Sequence, residues 1–222
     1  MKKALIILIA LTLVAGVASA GVVGSKHDLS TTGGTAASDA TRVCVFCHTP
    51  HQATAAAGQY PLWNHTLSGA GPYASYSSAT IDVDDLTDIP VAVAGSASTS
   101  NLCLSCHDGT VSVISLYNEP NEGALTLSPI AGIIDGTGKI ISNANIGTSL
   151  SNDHPVNFTY DADLIAADPD FNPVATVDAA GLLDPSDKVQ CSSCHDPHDD
   201  TYAGFMIMDN TNSALCTTCH RK

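Results

Sequence analysis

A chain of 222 residues allows one or two domains, and 8 Lys+Arg against 22 Asp+Glu give it a formal charge of −14. That balance excludes nucleic acid as a partner, because binding a phosphate backbone needs a basic patch. It leaves cationic partners, metal ions, mineral surfaces or plain solubility. Aromatic residues make up only 5%, so the side chains alone supply little of a large apolar core.

The chain opens on Lys2 and Lys3, an apolar run over 4–17 and Ala18-Ser19-Ala20. This is the pattern of a secretory leader, residues 1–20, cleaved before Gly21. The run is too short for a membrane anchor, and no later stretch is long and apolar enough to span a bilayer. No Cys follows the cleavage site, so a lipid anchor is not expected. Loss of the two lysines takes the charge from −14 to −16. The mature chain, 21–222, is expected to be secreted, extracellular or at the cell surface, with the periplasm as the alternative.

All eight cysteines lie in C-x-x-C pairs: Cys44/Cys47, Cys103/Cys106, Cys191/Cys194 and Cys216/Cys219. Paired cysteines in an exported chain ordinarily suggest disulfides. Here each pair is followed at once by a histidine: His48, His107, His195 and His220. C-x-x-C-H is the signature of covalent haem attachment. Two sulfurs bond the vinyl groups on one porphyrin edge, and the next residue lies under the ring to hold the iron. A zinc site does not require a His after each pair. A thioredoxin-like pair would occur once, in a βαβ context. Four c-type haems, covalently bound, are expected.

The second axial ligand decides what such iron does. Five histidines lie outside the motifs, His27, His51, His65, His154 and His198, and the mature chain has only two methionines, Met206 and Met208. The supply favours bis-histidine ligation at all four irons, which closes them to substrate and points to electron transfer rather than catalysis. Residues 44–51 (CVFCHTPH) and 191–198 (CSSCHDPH) repeat one pattern, and 102–107 and 215–220 repeat L-C-x-x-C-H. With His27 and His154 upstream, the chain reads as a duplicated two-haem arrangement, about 21–110 and 150–222, with a longer segment between. His65 is the histidine left over; it can replace any of the four, or hydrogen-bond behind a ligand. His51 and His198 stand three residues after a proximal His. Each is too close to reach the far side of its own iron but can reach a neighbouring haem, since residues three apart share a face of one turn. Pro50 and Pro197 restrict that turn. A surface histidine on a loop is the plain alternative.

Between the motifs, Ser, Thr, Gly, Asn, Asp and Pro mark turns and loops. The expected fold is coil-rich, with short helices at each C-x-x-C-H, few strands and a core built around four haems. Residues 111–117 partly alternate and are a candidate strand; 130–141 suggests a hairpin among Gly-rich turns. Asp82, Asp84, Asp85 and Asp88, and Asp196, Asp199 and Asp200, form acidic groups whose spacing matches no EF-hand, so solvated loops are expected. Asn64-His65-Thr66 and Asn157-Phe158-Thr159 fit the glycosylation pattern, which has little weight in a chain with a bacterial-style leader.

At 44–51, 61–65 (PLWNH), 102–111 (LCLSCHDGTV), 151–156 (SNDHPV) and 191–198, the chain resembles exported bacterial multihaem cytochromes. Its haem count and size resemble the OmcE-type tetrahaem outer-surface c-type cytochromes of metal-reducing bacteria. The resemblance implies polymerisation into an extracellular filament with a continuous haem chain. It also implies self-partners, with a distal His supplied by a neighbouring subunit, and other cytochromes and external metal ions or minerals as redox partners. A monomeric periplasmic shuttle and, third, a multihaem reductase are the other readings.

Overall fold

The computed structural model describes residues 21–53, 60, 62–92, 96–120 and 123–221; the expected leader lies outside them. Among the described residues, four α-helices occur: α1 (Thr99–His107), α2 (Ala162–Ala167), α3 (Val174–Ala179) and α4 (Ala214–Cys219). Two strands, β1 (Phe158–Thr159) and β2 (Lys188–Val189), pair antiparallel, Phe158 opposite Val189. Short 3-10 turns form at Val43–Phe46, Cys191–Ser193 and Thr211–Ser213. The rest is turn and coil. Each C-x-x-C-H motif begins in one of these short helical pieces, as expected from its one-turn spacing.

Local sequence explains where α1 sits. Ser98 caps it, its hydroxyl accepting from Asn101 N while Asn101 Oδ1 accepts from Ser98 N at 2.9 Å, a reciprocal cap. Gly109 ends it with φ of +71°, and a side chain there would collide with Asn145, so the helix stops where only glycine fits. Helix α2 is capped by Asp161, which accepts from Asp163 N and Leu164 N, and Pro173 sets the start of α3.

The apolar residues gather into four small clusters. The largest joins Phe158, Tyr160, Leu164, Val177, Leu182, Val189 and Leu215. The others centre on Tyr73, Ile89, Leu104 and Leu150, on Ala37, Val113 and Ile134, and on Ala97 and Leu102.

The candidate strand over 111–117 is not one. Ser115 N bonds back to Ser112 O, so the segment turns; Val113 N donates to Gly138 O, and the end pairs elsewhere, Leu116 bridging His65 with Thr66 N on Ser115 O and Tyr117 N on Asn64 O. Alternation over seven residues lost to local turn chemistry. The 130–141 segment does fold back on itself, Ile134 bridging both Ile130 and Ile140 around a turn capped by Asp135. Asn64 is fully buried, its amide donating to Val45 O and Asn118 O, which leaves it no room for a glycan. Asp85 and Asp88 are taken up by Thr159, Lys188 and Ser75.

Candidate metal centres

The histidines form facing pairs. His48 and His198 rings lie 6.0 Å apart, 14° from parallel. His27 and His107 are also 6.0 Å apart, at 75°, and His154 and His220 are 6.4 Å apart, at 70°. A metal–imidazole nitrogen bond is about 2 Å long. Adding about 1 Å from nitrogen to ring centre on each side, two rings sharing one metal stand about 6 Å apart, the spacing found three times. In every pair one ring belongs to a C-x-x-C-H motif and the other does not.

Hydrogen bonds orient these rings. Nδ1 of His107 lies 2.8 Å from Ala144 O, that of His195 2.8 Å from Gly204 O, and that of His154 2.8 Å from Pro155 O. His48 donates to Leu62 O and His27 to Pro197 O; His198 Nδ1 sits 3.4 Å from Asp196. A ring that donates one N–H to a carbonyl presents the other nitrogen as a lone pair, the arrangement typical of metal ligands. Burial first, then the facing His107, holds His27 down at about 4; burial, then His198, lowers His48. Both rings are therefore neutral near pH 7, as ligands must be.

His65 is different. It is 1% exposed, with Nδ1 2.9 Å from Thr66 O, Nε2 3.1 Å from Ser112 O and 3.4 Å from Cys106 Sγ. Both nitrogens are engaged by the protein. His195 and His51 have no facing histidine among the described residues. His51 is exposed, held only by its carbonyl, which accepts from Thr49 Oγ1 and Asn118 Nδ2.

The two C-x-x-C-H-x-P-H segments are built alike. His48 bridges Trp63, with Thr49 N on Leu62 O and Asn64 N on Cys47 O. His195 bridges Met206, with Asp196 N on Phe205 O and Ile207 N on Cys194 O. In the second halves, His154 faces the last motif histidine as His27 faces His107.

The cysteines run in sequence through space. Cys47 lies within electrostatic reach of Cys106, Cys103 hydrogen-bonds Cys191, and Cys219 lies near Cys194. Ser100 of α1 fixes the middle junction: its hydroxyl donates to buried Gln190 at 2.6 Å and accepts from Cys191 N at 3.2 Å. Tyr160 seats the last motif, its hydroxyl bonding Asn172 O and Cys219 O. Cys44 and Cys47 are accessible to solvent, yet protein atoms surround Cys47 closely enough to push its thiol up to about 12. These thiols stand where thioether sulfurs would be.

The residues fit a haem. Paired sulfurs beside facing imidazoles suit a flat apolar ring, and among the described residues Trp63 Nε1 is a buried donor without an acceptor. Its ring meets the motif histidine His48 edge-on at 6.4 Å. Among the described residues no group of three or more His, Cys, Asp or Glu side chains converges to hold a bare metal ion. No described helix is long and apolar enough to cross a membrane.

Residues 184–222 match the family model described as a doubled CXXCH motif. No curated protein is similar enough to the chain to count as a relative. The matched segment contains the third and fourth motifs. Together with the coil-rich fold, the paired motifs indicate covalently bound c-type haem and suggest a multihaem c-type cytochrome of electron transfer.

Proposed function

We propose that this protein is a secreted tetrahaem conductor, a subunit that polymerises outside the cell and passes electrons to external acceptors without acting as an enzyme. The observation that carries the reading is the pairing of three motif histidines with three others at the separation of two ligands on one metal. Bound haem supplies a one-electron couple; imidazole on both faces leaves no position for a substrate. The chain's part is to hold His48 and His198 on the first iron, His107 and His27 on the second, and His220 and His154 on the fourth. Cys44, Cys47, Cys103, Cys106, Cys191, Cys194, Cys216 and Cys219 tether the porphyrins. On this reading His65 is a buried hydrogen-bonding residue and not a ligand.

The third motif supports polymerisation. His198 of the second repeat serves the first motif of the first repeat. His51 holds the equivalent position in the first repeat, so by the same step it serves the His195 site of another chain. Among the described residues, His195 and His51 are the two motif-segment histidines without a facing histidine, so the step completes both. The repeated hydrogen bonding at His48 and His195, and the serial order of the cysteines, support a duplicated arrangement and a continuous path from motif one to motif four.

Purified native material tests the reading. Four haems per chain, low-spin spectra throughout and filaments under electron microscopy are expected. A chain weighing no more than its polypeptide refutes it. Particles that stay monomeric on sedimentation favour a periplasmic shuttle, and a high-spin iron that binds added ligand in native material favours a reductase.

A further inference from the structure

The residues after the four motif histidines are Thr49, Asp108, Asp196 and Arg221. Of the two carboxylates, Asp196 is partly exposed and stands beside His198, whereas Asp108 is 3% exposed. Asp108 caps the end of α1 and is held by Ser68 Oγ, by Tyr73 Oη at 2.7 Å, and by Thr110 through its N–H at 2.8 Å and its hydroxyl at 2.8 and 3.0 Å. Every one of these partners is neutral, and each donates toward the carboxylate, the Thr110 N–H as an obligatory donor, while the Ser68 and Thr110 hydroxyls also touch each other. This is a built site for an anion, placed one residue from the ligand His107.

We propose that Asp108 is a positioning residue for potential, a buried fixed anion that makes the haem at Cys103/Cys106 the lowest in potential of the four. The inference rests on the haem reading above. Ferric bis-histidine haem carries one more positive charge than ferrous, so a nearby anion favours the ferric state. A single charge on the order of 10 Å away, at an effective dielectric constant of about 20, changes the ferric-to-ferrous ratio roughly tenfold. Exposed Asp196 is screened by water and counterions and does much less.

The sign separates this role from a structural one. Loosening the pocket admits water to the haem, which also favours the ferric state and lowers the potential. Removing the anion raises it.

The test is a potentiometric titration of the haem-loaded protein, resolved into four one-electron components, for the native chain, D108N and Y73F. D108N is expected to move the lowest component up by about tenfold in the ratio, about 59 mV for one electron, with the other three in place. Y73F keeps the charge and removes one donor that offsets it, so the same component moves down. A lowest component that stays or falls in D108N overturns the proposal, as does one that stays or rises in Y73F. Should D108N not retain its haems, Y73F carries the test alone. A native chain with no haem sinks the underlying reading instead, which the pigment content shows before any titration.

Discussion

Consider His198→Ala. The ring of His198 lies 6.0 Å from that of His48 and 14° from parallel. With a metal–nitrogen bond of about 2 Å, its removal takes away the imidazole that faces His48. Asp196 Oδ1, 3.4 Å from the Nδ1 of His198, meets that ring and not the ring of His48. The first iron is left with one protein ligand. With four motifs in the chain, one iron in four turns five-coordinate or water-bound, so about a quarter of the haem signal goes high-spin. Cys44 and Cys47 are untouched, so the pigment-to-protein ratio is unchanged. Free imidazole entering the gap restores the low-spin spectrum. The assay is the electronic and paramagnetic resonance spectrum of the ferric protein, read against the native chain. An unchanged low-spin spectrum, or a high-spin signal that imidazole does not remove, refutes the assignment of His198 to His48.

His51→Ala is expected to dissolve filaments and leave the His195 iron high-spin in every chain; filaments of normal length under the electron microscope would contradict it. His65→Ala leaves all irons low-spin but removes the imidazole N–H held between the carbonyls of Thr66 and Ser112 and the ring that fills this buried position, costing about 2 kcal/mol or more; a new high-spin signal would make His65 a ligand after all. Ser100→Ala removes two hydrogen bonds at the junction of the second and third motifs, about 2 kcal/mol, and lowers Tm by about 4–8 °C. A melt that coincides with the native one would show that the Ser100–Gln190 contact does not hold that junction.

The covalent chemistry was legible in the sequence because it is local. Cys, Cys and His must sit on one turn, so four windows of five residues display it completely. The coil-rich fold was legible for a similar reason, from turn-forming residues between motifs. Partner choice was not, since it depends on which distant segments meet: His154 and His220 are 66 residues apart, and the repeat marked the upstream histidines His27 and His154 as candidates without assigning either to a motif. The spare histidine His65 was recognisable by counting, but its tie to Thr66 and Ser112 follows from a bridge with Leu116 that no periodicity announces. Asp108 was passed over. One Asp after a motif carries no signal until Ser68 and Tyr73, some 35 to 40 residues upstream, are seen to converge on it. The misread strand over 111–117 has the same cause, because a Ser-rich segment can close a turn on itself before it finds a neighbour.

In the filament proposed above, the unmatched His195 and His51 would give any finite assembly two unlike tips. One tip offers an iron short of a base, the other a base short of an iron, so growth is directional and annealing joins only opposite tips. Small ligands such as carbon monoxide can bind at the first kind alone. Gas uptake per unit of pigment therefore counts tips, and falls in inverse proportion as the strands lengthen, which turns a simple spectrum into a ruler for length.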